Sequence, residues 1–189
     1  MGLTILSPLG EIETPPQRSK SGPTLAPLAS LEGARMGLLW NQHASTVVFW
    51  PVLDAVAAKS FRVRDVQRVN KISTWNPASP ETIEELASKV DYVLVGVGAC
   101  GSCTTCSVRD CVNLLRAGIP AIILVHEPFE KLARIQFEIQ RVTQIPGVAE
   151  APLLVYPRDL IDKEPPEAVQ RKAATVADRA ASMLLKLGR

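Results

Sequence analysis

From Arg35 onward the apolar residues change rhythm in a regular way, and each change predicts an element. Met36 to Trp40 is a short apolar run, and Ser45 to Lys59 follows with Val48, Val52 and Val56 at helical spacing, so a strand precedes a helix. Phe61 to Val69 alternates apolar and polar positions and predicts a second strand, while Asn76 to Ser79, with Pro77 and Pro80, makes a turn. Pro80 then opens a helix with Ser79 as its candidate N-cap and Glu84 and Glu85 in its early turns. Tyr92 to Val97 (YVLVGV) is uninterruptedly apolar, the signature of a strand buried on both faces of a parallel sheet. Thr104 to Ala117 has helical spacing through Val108, Cys111, Val112 and Leu115, and Gly118 ends it. Ala121 to Val125 predicts a fourth strand, Pro128 to Val142 a helix, Pro152 to Tyr156 a fifth strand and Pro165 to Leu187 a long last helix.

Five alternations of strand and helix predict an α/β fold, an open, mostly parallel five-stranded sheet with helices on both faces, of Rossmann or flavodoxin-like type. Ligands of such sheets bind at the carboxyl ends of the strands. Residues 1–32, with Pro8, Pro15, Pro16, Pro23 and Pro27 among small polar residues, read as an extended N-terminal arm, and residues 33–189 as a single α/β domain. The arm and the long last helix fit a homo-oligomer, because such arms often wrap a neighbour.

Composition narrows the function only slightly. Across 189 residues, 21 Lys and Arg against 19 Asp and Glu leave a net charge of +2, which gives no reason to expect nucleic acid or an anionic membrane as partner. Hydrophobic residues at 47% supply a sizeable core. No secretory leader and no apolar run of about 18 residues is evident, so the expectation is a cytoplasmic protein acting on a small molecule.

The cysteines carry the chemistry. All four lie between Cys100 and Cys111, whereas a secreted disulfide scaffold spreads its cysteines to staple distant loops. The predicted strand ends deliver Gly98, Cys100, Gly101 and Cys103 to the same rim as Asn41 and His43, and as His126 and Glu127. Cys100 precedes a helix, where free N–H groups and the macrodipole favour a thiolate. Cys103 stands where a resolving thiol stands in C-x-x-C. His126 is the first choice as acid-base partner and His43 the second, imidazoles of ordinary pKa about 6.5 beside thiols of about 8.5.

Thr104, or failing it Ser102, is the candidate N-cap, and Gly98 and Gly101 permit a tight turn and close approach of substrate. Asn41 and Trp75 are further candidate substrate contacts, and Trp40 reads as core. Cys106, one turn after Cys103, either shares its chemistry or packs. Cys111 reads as a buried structural cysteine and Asp110 as a solvated or ion-paired side chain. Gly96-Val97-Gly98 lacks the rest of a phosphate-binding loop.

No cofactor is expected beyond an external thiol or reductant. The alternative is a metal-binding protein in which Cys100, Cys103 and Cys106 ligate zinc or iron, with His43 or His126 completing the site. A third reading is a non-catalytic subunit that keeps the motif as an interface.

The segment GVGACGSCTTCSVRDCVNLLRAGIPAIILVHEPF resembles the UGSC-type family, named for selenocysteine-Gly-Ser-Cys, with Cys100 at the selenocysteine position and Cys103 at the motif's last. The G-L-L-W-N segment ending in Asn41 also fits, and the likeness runs from about Leu31 to Tyr156. Family members often carry a histidine where this chain has Arg109, so no acid-base role of that histidine transfers. A more distant similarity to the selenoprotein subunits of the glycine, betaine and proline reductases implies a nucleophilic Cys100, resolution by Cys103 and a reductase partner protein.

Overall fold

A computed structural model describes residues 24–161 and 163–189. Most of the arm lies outside the described residues. Its last part does not stand apart from the domain: Leu25 and Leu31 are buried in the common core, and Leu25 lies against Gly147 and Gly188.

The sheet comprises β1 (Arg35–Trp40), β2 (Asp65–Asn70), β3 (Tyr92–Gly98), β4 (Ala121–His126) and β5 (Leu153–Tyr156), in the order β2-β1-β3-β4-β5. Every pairing is parallel, so the expected mostly parallel sheet is wholly so. Five α-helices join the strands: α1 (Phe49–Ser60), α2 (Pro80–Lys89), α3 (Gly101–Arg116), α4 (Glu130–Ile139) and α5 (Pro166–Leu184). α1 pairs with α5, and α3 packs on β3 between α2 and α4. The central strands β3 and β4 are buried along their whole length, as their unbroken apolar sequences require. No helix among the described residues is long and apolar enough to cross a membrane.

The chain leaves β1 towards β2 on one side and β3 towards β4 on the other. Between the carboxyl ends of β1 and β3 the connections therefore diverge and leave a crevice, the topological switch point at which open α/β sheets bind ligands.

Several local expectations shift. A 3-10 turn at Ala44–Thr46 delays α1, and its inner face becomes Phe49, Trp50, Leu53, Val56 and Ala57, while Val48 is exposed. Aromatic stacking sets that phase: Phe49 stacks on Tyr156, and Trp50 on Trp40. Phe61 belongs to the end of α1, where its N–H donates to the Ala57 carbonyl, and β2 starts only at Asp65. The helix expected over residues 128–142 is trimmed to α4 by a short 3-10 turn on either side. Trp40 is half-buried and its Nε1 donates to Thr46 Oγ1 at 3.0 Å. The Ser79 cap of α2 and the left-handed Gly118 after α3 are as expected, Gly118 at φ 84°.

Candidate active site at the β1 and β3 strand ends

The last residues of β3 pass directly into α3, and the N-cap is Cys100 itself: its Sγ accepts from the Cys103 N–H at 3.1 Å. Thr104 and Ser102 therefore do not cap the helix. Thr104 is wholly buried and donates through Oγ1 to the Cys100 carbonyl at 2.6 Å, which locks the junction from inside. Ser102 is exposed, with its hydroxyl 3.6 Å from Cys100 Sγ. A sulfur at this cap receives a backbone donor and the positive end of a 16-residue helix, both of which stabilise a thiolate.

Cys100 and Cys103 form a disulfide, with Cα atoms 5.1 Å apart. The pair is asymmetric, since Cys100 is half-buried and Cys103 has no exposed surface. The glycines of the motif differ as well. A Cβ on Gly98 would stand 3.0 Å from Thr104 Oγ1 and 2.9 Å from Val125, so glycine is demanded there by packing, whereas a Cβ on Gly101 would meet nothing within 4 Å.

His43 enters from the neighbouring strand end. One of its ring nitrogens and the sulfurs of Cys100 and Cys103 all lie within 4.8 Å of one another. Nδ1 is held by Ser45, whose N–H donates to it at 3.2 Å and whose hydroxyl lies 2.9 Å away, and among the described residues no hydrogen bond engages Nε2. Partial burial pushes the His43 pKa below its ordinary value, and nearby His126 and Arg158 push it the same way, which favours the neutral ring.

Asn41 holds the two strand ends together. Its Nδ2 donates to the Val97 carbonyl at 2.8 Å and to Ser107 Oγ at 3.3 Å, and its Oδ1 accepts from the Val97 N–H at 3.1 Å and the His43 N–H at 3.2 Å. The side chain is fully buried with both amide atoms engaged, so it positions His43 and the Cys100 strand and has no group left for a substrate.

Three other candidates are placed elsewhere. His126 is fully buried, with Nε2 2.9 Å from Asp159 Oδ2 and, among the described residues, no hydrogen-bond partner for Nδ1, and it lies outside the group formed by His43 and the two sulfurs. Cys106 turns to the loop before α2, where its Sγ donates to the Trp75 carbonyl at 2.8 Å; it too lies outside that group, and burial raises its pKa. The metal alternative thus loses the Cys100, Cys103 and Cys106 ligand set. Trp75 is 65% exposed and touches the motif through its backbone.

Cys111 is the buried structural cysteine its sequence context implies, donating to the Ala121 carbonyl at 3.5 Å. Asp110 is not solvated: it is fully buried, 2.6 Å from Lys71 Nζ, and accepts from the Ala78 N–H at 2.7 Å. That pair ties the loop after β2 to α3.

Sequence reasoning missed Ser45, Asp159, Lys71 and Ser107. Asp159 stands three residues beyond the end of β5, so the strand-end rule that found both histidines also applies to it. Ser45 lies two residues after a rim histidine, the spacing of a short side-chain-to-backbone cap.

A family model, the UGSC family, matches residues 4–186. The chain belongs to the UGSC family. The match reaches beyond the segment that carried the resemblance in both directions, taking in most of the arm and the whole of α5. No curated protein matches it. Membership fits the placement of Cys100-Gly101-Ser102-Cys103: this UGSC motif forms the junction of a central strand with its helix, at the sheet's switch point.

Proposed function

We propose that this UGSC protein is a thiol-dependent redox enzyme that reduces or reductively cleaves a small electrophilic molecule. One observation carries the reading. A half-buried cysteine caps a helix N-terminus, disulfide-bonded to a fully buried one, with a histidine nitrogen within 4.8 Å of both sulfurs.

In the working direction the Cys100 thiolate attacks the electrophilic atom of the substrate. A bond from that atom to its leaving group breaks, and the leaving group departs with the electron pair and takes a proton from solvent. Cys103 then attacks the Cys100 sulfur, closes the disulfide and expels the remaining fragment, again with the electron pair and a proton. The substrate gains two electrons and the dithiol loses two. An external dithiol, or a reductase partner protein carrying one, returns them. Neutral His43, with Nδ1 accepting from the Ser45 N–H, presents Nε2–H as a donor to the sulfur charge. Asn41 keeps that ring and the Cys100 strand in register.

The test is a thiol count on the anaerobically reduced chain before and after one equivalent of a mild oxidant, followed by turnover with dithiothreitol and a panel of small peroxides, disulfides and activated carbonyl compounds. Loss of two thiols is expected in wild type and in Cys106→Ser, with none lost as a pair in Cys100→Ser or Cys103→Ser. Unchanged thiol loss and turnover in Cys100→Ser would refute the mechanism.

A further inference from the structure

The disulfide is only one state of these sulfurs. Once reduced, Cys100 and Cys103 offer two thiolates beside the imidazole of His43, with all three donor atoms within 4.8 Å of one another. Zinc bonds of about 2.3 Å to sulfur and about 2.0–2.1 Å to nitrogen, at tetrahedral angles, hold such donors about 3.5–3.8 Å apart, so one ion closes the triangle once reduction lets the two bonded sulfurs part. Two of the three ligands are half-buried, which gives an ion a path in, and the third anchors the site from within the core.

We infer that the reduced chain holds one thiophilic divalent cation, zinc by its ligand chemistry, on Cys100, Cys103 and His43. Among the described residues no fourth His, Cys, Asp or Glu donor joins these three. The fourth position is therefore open to water or a small ligand, as in metal sites that do chemistry and unlike closed structural ones. Cys106 is excluded because its sulfur is turned away and spent on the Trp75 carbonyl.

Ser45 completes the arrangement. A metal on Nε2 requires the ring proton to sit at Nδ1, and the Ser45 hydroxyl 2.9 Å away is placed to accept it. Ser45 is a positioning residue: its N–H meets a bare Nδ1 in the disulfide state, and in the metal state that bond is given up while its hydroxyl oxygen accepts from Nδ1–H.

Metal and disulfide exclude each other, since both use the same two sulfur valences. Binding one zinc ion to the two thiols releases two protons. Oxidation of the bound state by hydrogen peroxide takes two electrons from the two thiolates, forms the S–S bond, consumes two protons, frees the ion and yields two waters. The site is thus a redox-gated metal centre, loaded when reduced and emptied by two-electron oxidants.

Cobalt(II) is the probe, titrated anaerobically into the reduced chain freed of reductant. One equivalent is expected to bind with sulfur-to-cobalt charge-transfer absorption and intense tetrahedral ligand-field bands, and one equivalent of hydrogen peroxide should abolish both. The oxidised wild-type chain, which needs no substitution and so carries no folding risk, should show neither. Cys100→Ser, Cys103→Ser and His43→Gln should lose the tetrahedral spectrum, Ser45→Ala should weaken binding about 10-fold, and Cys106→Ser should bind as wild type. Absence of charge transfer in the reduced chain, its survival in Cys100→Ser or His43→Gln, or its loss in Cys106→Ser would each overturn the assignment. A chain that fails this test and still loses two thiols to oxidant would retain the thiol-redox reading without the metal.

Discussion

Replacing Asn41 by alanine tests whether the two strand ends act as one unit. The substitution strips partners from the Val97 N–H and Val97 carbonyl, which lie in the core, and from the His43 N–H, which lies near enough to the surface for water to replace the lost bond. Leaving a buried polar group unsatisfied costs about 1–3 kcal/mol, so the two Val97 groups together predict a loss of about 2–6 kcal/mol. Against a typical total of about 5–15 kcal/mol that is a severe change. Urea unfolding of wild type and Asn41→Ala, both oxidised, measures it. Asn41→Asp sharpens the argument because a carboxylate still accepts from both N–H groups but faces the Val97 carbonyl without a proton. In its neutral form it donates to that carbonyl. Its folded pKa is therefore raised above the ordinary value of about 3.9, and the variant regains stability relative to wild type as pH falls through that raised pKa towards 3.9. A cost below about 1 kcal/mol for alanine, or a flat pH dependence for Asn41→Asp relative to wild type, would refute the clamp.

Three other substitutions or modifications probe the scaffold. Asp110→Ala leaves Lys71 buried without its partner and should cost about 3–5 kcal/mol in urea unfolding, while the double variant Lys71→Met with Asp110→Leu recovers most of it; a single-variant cost near zero would mean that the loop after β2 opens to hydrate the lysine. Gly96→Ala drives a methyl into the Trp50 ring and should cost about 1–3 kcal/mol by thermal melting, with partial rescue by Trp50→Phe. Cys106, its pKa raised by burial and its thiol donated to Trp75, should alkylate with iodoacetamide more slowly than a free cysteine between about pH 7 and 9; equal rates by mass spectrometry would remove that hydrogen bond from the account.

The order of elements was legible because each central strand is a continuous apolar run and each α/β connection carries its own stop signals. Tyr92 to Val97 and Ala121 to Val125 needed no tertiary information to be recognised. Strand order was not legible, since the pattern that predicts a parallel sheet is indifferent to which strands adjoin. Yet the switch point that order creates is what brings His43 of one strand end to Cys100 of another. Valine spacing does not give the phase of α1, because two aromatic stacks outweigh the β-branched residues. Cap chemistry explains why Thr104 does not cap α3. Thr104 has a better capping propensity than cysteine, but β3 enters the helix too early for it, and the sulfur takes the cap position. Nor could linear spacing separate His43 from His126: both follow strands, and only the Asp159 bond and complete burial distinguish the second.

The asymmetry of the disulfide yields a directional prediction. Thiol–disulfide exchange requires an incoming sulfur to approach along the S–S axis, behind the atom it attacks. Cys103 has no exposed surface, so the approach to its sulfur is blocked by the core, whereas Cys100 is half-exposed on the rim. Attack therefore falls on Cys100 and expels Cys103. In the next exchange Cys100 departs as a thiolate into the Cys103 N–H and the end of α3, the environment that best stabilises it. Incubating reduced Cys103→Ser with glutathione disulfide should build up a mixed disulfide on Cys100, stable because the resolving thiol is gone. The reduced Cys100→Ser chain should acquire little on Cys103 while it remains folded by circular dichroism. Comparable adduct rates at the two sulfurs in folded chains would show that burial does not direct the exchange, and the assignment of attacker and resolver would then fall with it.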